Sequence, residues 1–257
     1  MPRRARPEDQ QRILTEALGR ARAAAPGAVA VFDLDSTVLD NRPRQARILR
    51  EYGEAAGLPA LLAAAPEHWR GWDIEAALEA AGLPREMARR HAEPALRFWA
   101  ERFFTSAYCR LDVPVPGAPA FVRAVAAAGP SVAYVTARPA RMEAGTLDVL
   151  SRFGFPAPDG RRARLLMKIP DALGDDDWKA MAQEQVDRLG PVVLAFDNEP
   201  SHVNAYARAW PRAMVVHVDT NDSGRPVEVL AGVPSIADFD APAALTAGAE
   251  GATARGP

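Results

Sequence analysis

The sequence predicts an α/β fold, a doubly wound parallel sheet that carries an inserted block of helices. Three observations predict it. Short apolar runs alternate with helical stretches from Ala118 to Val218, the alternation that builds βαβ units. The run Ala28-Val29-Ala30-Val31-Phe32 is apolar at every position, as in a strand buried on both faces. Between this strand and the next, residues 41–112 show helical punctuation and no strong strand.

The elements follow in order. Pro7-Glu8-Asp9 opens a helix, with proline early and acids at the positive end. Ile13, Leu14, Ala17 and Leu18 give it an apolar stripe, and Pro26-Gly27 ends it before the first strand. In the inserted block, Arg44 to Tyr52 reads as one helix. Pro59–Ala65, Ile74–Ala81 and Arg85–Ala92 read as shorter pieces, separated by Pro66, Gly71, Gly82-Leu83-Pro84 and Pro94. A longer helix is expected from Pro94 to Cys109, with Leu96, Trp99, Phe103 and Ala107 on one face. After the turn-rich Val113–Gly117, strands are expected at Ser131–Thr136, Arg164–Met167, Pro191–Phe196 and Met214–Val218, with helices between them. The expected division is therefore a core of residues 1–40 and 113–240, a helical cap of residues 41–112, and a disordered or weakly packed tail of residues 241–257.

Composition narrows the functions. A chain of 257 residues holds one large domain or two smaller ones, and 48% hydrophobic with 25% charged residues is ordinary for a soluble protein. A net charge of −2 gives no overall attraction for nucleic acid or membrane, so neither is expected as a partner. The basic cluster Arg3-Arg4-Ala5-Arg6 reads as a solvated, frayed end. Cys109 is the single cysteine, so no intrachain disulfide forms; it reads as a packed small hydrophobe in a reducing compartment. With neither a long apolar run nor a signal peptide, the expected location is cytoplasmic. Nothing in the sequence speaks to oligomeric state.

Chemistry is expected where the strands end. The first closes on Asp33, with Asp35 two residues later; the second closes on Thr136; the third on Asp197. In a parallel sheet these ends lie on one side, where ligands bind. Carboxylates placed there are costly unless they bind a cation or do chemistry. In an extended segment Asp33 and Asp35 point the same way, so both reach one pocket.

These residues carry a resemblance. Asp33-Leu34-Asp35-Ser36-Thr37-Val38-Leu39, after an apolar strand, resembles the first motif of the haloacid dehalogenase-like (HAD) hydrolases. Thr136 matches the second motif and Asp197 the fourth; the third, a lysine, has two candidates, Lys179 and Lys168. The resemblance covers roughly Ala28 to Asp240 and implies a Rossmann-like core with a helical cap. It also implies a Mg²⁺-dependent phosphohydrolase that acts on a small phosphorylated metabolite. On that reading Asp33 is the nucleophile that forms an aspartyl-phosphate, and Asp35 donates and then takes a proton. Asp33, the backbone carbonyl of Asp35 and Asp197 hold Mg²⁺, while Thr136 and the lysine hold the phosphoryl oxygens. Asp35 argues against a dehalogenase, which needs no leaving-group proton donor. A phosphotransferase or phosphomutase using the same intermediate, and a non-catalytic phosphate-binding module, are the alternatives.

Lys179 is the preferred lysine, because Asp175-Asp176-Asp177 reads as a helix start and puts it in the first turn, where anions bind. Asn198, Glu199, Ser201 and Asn204 are candidates to complete the metal's surroundings. Arg138 can face the pocket. Asp40, Asn41, Arg42 and Arg44 either contact substrate or cap the entry to the insert. Trp69 and Trp72 either line a slot or pack the cap's own core. His68, His91, His202 and His217 lack metal-ligand spacing and read as structural or exposed.

Overall fold

The computed structural model describes residues 7–169 and 173–240. The Arg3–Arg6 cluster and the tail of residues 241–257 lie outside the described residues. Helix α1 (Pro7–Ala23) leads into β1 (Val29–Phe32) and a short β2 (Leu39–Asp40). The insert follows: α2 (Arg42–Ala56), 3-10 turns at Pro59–Ala63 and Pro66–His68, α3 (Ile74–Ala80), α4 (Arg85–Phe103) and α5 (Ser106–Cys109). Then come β3 (Val113–Pro114), α6 (Ala118–Ala128), β4 (Ser131–Pro139), α7 (Glu143–Arg152) and β5 (Ala163–Lys168). The described residues end with α8 (Asp175–Asp187), β6 (Val192–Asp197), α9 (Pro200–Ala209), β7 (Met214–Val218) and β8 (Ser235–Ile236).

The expected α/β class is what the structure has. Strands run β5-β4-β1-β6-β7-β8 across one sheet, and each neighbouring pair is parallel. The all-apolar β1 is buried at each residue. Its side chains divide by strand alternation: Ala30 and Phe32 join the cluster with Leu14, Phe121 and Leu150, from α1, α6 and α7. Val29 and Val31 join Trp178, Val203 and Tyr206, from α8 and α9, on the other face. Two layers of helices thus cover the sheet. From β1 the chain moves outward to β4 and β5, then returns to β6 on the other side. The carboxyl end of β1 is therefore the point where strand order reverses, which is where such sheets bind ligands.

The helices between β2 and β3 pack around a hydrophobic cluster of their own, with Ile48, Leu61, Leu78 and Trp99 at its centre. β2 and β3 pair antiparallel and close the insert at its base. Two expectations about α4 are corrected. The helix passes through Pro94 instead of starting there. Pro94 is exposed, so the Arg90 carbonyl that it leaves unbonded faces water. The helix stops at Phe103, where the Thr105 hydroxyl donates to the Arg102 carbonyl at 2.7 Å and competes with helix continuation. Leu96 is consequently 46% exposed, and Ala107 is exposed as well; the buried face is Ala88, Ala95, Trp99 and Phe103.

Candidate active site

The Asp33 amide donates to the Phe196 carbonyl at 3.0 Å, which keeps the end of β1 beside β6. A tight loop follows at once. The Leu34 carbonyl takes the amides of Thr37, Val38 and Leu39, and the Ser36 amide donates to Leu39. The loop requires a left-handed residue, and Ser36 supplies it with φ of 60°, a conformation that non-glycine residues adopt at a cost. Its consequence is that Asp35 stays beside Asp33, and both reach one cavity of about 650 Å³.

On the inner wall one ammonium serves two acids. Lys179 lies near the start of α8, as expected, and is 2% exposed. Its Nζ donates to Asp33 at 2.6 Å, to Asp197 at 2.9 Å and to the Val135 carbonyl at 2.8 Å. Burial, with the neighbouring Asp197, pushes the Asp33 carboxyl up to about 6 against the pull of Lys179. Burial would also raise Asp197, but Lys179 and His202 overcome it and hold that carboxyl well below the usual range. The Thr37 hydroxyl lies 3.0 Å from both Asp33 Oδ2 and Asn198 Oδ1 and donates to one at a time. Thr136, at the neighbouring strand end, is buried and lines the same cavity. Its carbonyl accepts from the Trp178 indole at 2.8 Å.

Asp35 sits in a buried alternation of charge. Arg138 grips it through Nε and Nη2, both at 2.7 Å, and Arg44 adds a contact at 3.1 Å and Asn41 one at 3.0 Å. Behind the arginines is Asp112, 2.6 Å from Arg138 Nη2 and 3.0 Å from Arg44 Nε. Burial alone would raise Asp35; the Arg138 guanidinium reverses this, with Arg44 and Asn41 assisting, and holds the carboxyl well below its ordinary value. In this arrangement Asp35 is a carboxylate. Arg44 enters from the start of the insert, Asp112 from its end, and Arg138 from β4, so the quartet joins insert to core.

Around the cavity mouth, Arg225 bonds Asp176 at 2.7 Å and Glu199 at 3.1 Å, and Lys168 pairs with Asp175 at 2.6 Å. Asn221, after β7, bonds both the amide and the carbonyl of Gly71 in the insert. Its own carbonyl accepts from Asn198 at 2.8 Å.

The structure brings together Asp33, Asp35, Thr136, Lys179 and Asp197. Lys168 lines the cavity but pairs with Asp175 and touches neither Asp33 nor Asp197. Of the residues after Asp197, Asn198 reaches the site through Thr37, and Glu199 anchors Ser223 and Arg225. Ser201 is tied to Asp176 and Arg225, and Asn204 to Glu228 and Leu230. Asn41 and Arg44 bind Asp35, whereas Asp40 and Arg42 bind each other. Trp69 is buried in the insert and Trp72 faces the cavity. His202 is buried, lies 3.4 Å from Asp197 and 2.9 Å from Asp176 and lines the cavity. Asp112 had no sequence signal at all. Among the described residues, no group of three or more His, Cys, Asp or Glu side chains is arranged to hold a metal ion, and no helix is long and apolar enough to cross a membrane.

No protein-family model and no curated protein matches the chain. Several solved structures resemble it at low identity. The class C acid phosphatase from Bacillus anthracis is 18% identical over 77% of this chain and 66% of its own, with a TM-score of 0.44. CbbY from Rhodobacter sphaeroides, in complex with phosphate, is 19% identical over 84% and 98%, with a TM-score of 0.48. A haloacid dehalogenase-like hydrolase from Streptococcus pneumoniae is 12% identical over 76% and 87%, with a TM-score of 0.47. The last bears the name of the family that the Asp33–Leu39 motif resembles.

Proposed function

We propose that this chain is a HAD-type phosphohydrolase that cleaves a small-molecule phosphomonoester through an aspartyl-phosphate on Asp33. One observation carries the reading: from the ends of adjacent strands, Asp33 and Asp197 share the buried Lys179 ammonium at the floor of one cavity, with Thr136 beside them. An oxygen of Asp33 attacks phosphorus, the bond to the leaving oxygen breaks, and that oxygen takes a proton from Asp35, which must carry one for this step. Thr136 holds the phosphoryl oxygens as charge develops on them, and Lys179 joins it by giving up one of its three present bonds. Water then attacks phosphorus, Asp35 takes its proton, and the Asp33 carboxylate is restored. As a carboxylate, Asp35 has the form this second step needs. Protonating an alkoxide in the first step requires that its Arg138 fork first be exchanged for a proton.

The residues fit a hard divalent cation such as Mg²⁺. Two buried carboxylates share one lysine, and burial pushes the Asp33 carboxyl up to about 6 against the pull of that lysine. The donors are all oxygen: Asp33, Asp197 and the Asp35 carbonyl, with Asn198 close by. Mg²⁺ held there would offset the repulsion between the phosphate and the Asp33 carboxylate. A cytoplasmic setting accords with the single, buried Cys109. A small phosphorylated metabolite accords with a cavity partly roofed by the insert, acting as a cap.

The test is phosphate release from p-nitrophenyl phosphate, with Mg²⁺ and with EDTA, by the wild type and Asp33→Asn. The expected result is release that EDTA and Asp33→Asn each abolish. Release that survives Asp33→Asn removes the nucleophile and with it the mechanism.

A further inference from the structure

The floor of the cavity is charged, but its roof is aromatic. Trp99 and Phe103 of α4 stack at 4.4 Å, and Trp72 stands edge-on against both, at 6.1 Å and 5.5 Å. The chain has five tryptophans. Four are at most 8% exposed, whereas Trp72 is 38% exposed and its open side lines the cavity. Trp72 is held in place by these ring contacts and by the residue before it. The preceding Gly71 has both its backbone amide and its carbonyl bonded by Asn221. Asn221 is in turn bonded by Asn198, next to Asp197. The indole is thus fixed relative to the acids, as a preorganised surface for a ligand.

Charge decides what kind of ligand. The Arg44 guanidinium already lies 3.9 Å over the Phe103 ring, so the cluster holds a cation on its core side. At the rim, Asp175 and Asp176 are neutralised by Lys168 and Arg225. The aromatic cluster already has its cation, so what it leaves open is a π surface that a neutral flat ring can cover. A volume of about 650 Å³ holds a molecule of nucleotide size.

We infer that the substrate's leaving group carries a flat aromatic ring, either a nucleobase or an aryl group, that lies against Trp72 while its phosphate sits at Asp33. The inference rests on the phosphohydrolase reading for turnover, though not for binding.

Binding therefore tests it first, by calorimetry with two nonhydrolysable probes, benzylphosphonate and cyclohexylmethylphosphonate, which share apolar bulk but differ in flatness. The wild type should bind the aromatic probe about tenfold more tightly. Trp72→Ala should remove that preference and Trp72→Phe should keep most of it. Equal binding of both probes by the wild type, or a preference that survives Trp72→Ala, overturns the inference. So does tighter binding of phosphocholine than of benzylphosphonate. Turnover then compares benzyl phosphate with cyclohexylmethyl phosphate, whose leaving alcohols have similar acidity. If binding discriminates and no ester is hydrolysed, the aromatic site stands and the phosphohydrolase reading falls. Adenosine monophosphate alongside naphthylmethyl phosphate separates a nucleobase from a simple aryl group.

Discussion

Asp112→Asn removes one charge from the buried quartet and leaves nearly everything else in place. Asp112 and Arg44 have side chains at 0% exposure and Arg138 at 2%. Pairs on a protein surface contribute about 0–1 kcal/mol, because water screens them. These three side chains are out of reach of solvent, and removing one member of a buried pair costs about 3–5 kcal/mol, since its partners keep their charge with less to balance it. After the substitution two guanidiniums share Asp35 alone. Asparagine keeps the volume and one acceptor oxygen, which argues for the lower figure, about 3 kcal/mol. For a chain of this size that corresponds to a fall in Tm of about 6–12 °C. Urea denaturation of the wild type, Asp112→Asn, Arg44→Gln and the double variant measures both the loss and the coupling. The coupling should exceed about 1 kcal/mol, as for residues in one network. A loss below about 1 kcal/mol for Asp112→Asn would mean that the quartet behaves like a surface cluster, and the clasp between insert and core would have to be abandoned.

Because the Asp35 carboxyl is depressed in the folded chain, its contribution is full above the unfolded value of about 3.9 and is lost as pH falls below it. The stability gap between wild type and Asp35→Asn should therefore narrow between about pH 5 and pH 2.5 in denaturation series; a gap independent of pH would contradict the pairing. Lys179→Met should lower phosphate release by about 10²–10³-fold, whereas Lys168→Met, which removes a pair at the rim, should lower it less than about fivefold. A larger loss for Lys168→Met than for Lys179→Met in steady-state assays would reverse the choice of lysine. Gly145→Ala would place a Cβ 2.3 Å from the Ser106 carbonyl oxygen, where α7 meets α5. It should cost about 1–3 kcal/mol in unfolding experiments, and a neutral result would show that the two helices can separate freely.

The sheet was legible because its strands are buried on both faces, and burial writes itself into local sequence as continuous apolar runs. The acids at the strand ends were legible for the converse reason: each interrupts such a run. Lys179 could be placed from Asp175–Asp177 because a helix start is a local signal. What connects Asp35 to its surroundings was not local. Arg138 is 103 residues away from it, and Arg138, Arg44 and Asp112 meet only after the insert has folded back on the core. Arg138 and Arg44 could be singled out only as residues near a motif, and Asp112 not even that. The place of His202 was not local either: its partners are an aspartate on β6 and another on α8. β8 is two residues long and left no pattern to read.

The base of the insert has a consequence for how such a chain can be altered. Asp40 and Val113 lie opposite each other in the β2–β3 pair, so the polypeptide leaves the sheet and comes back to it at neighbouring positions. The helices are in effect plugged in through a hairpin stem. A short turn joining the two strands would close the backbone without disturbing the order of the sheet, and a foreign helical unit with closely spaced ends could be fitted to the same stem. Such an exchange removes Arg44 and Asp112 together, so Asp35 and Arg138 stay behind as a balanced pair, and the new unit must bring either both charges or neither.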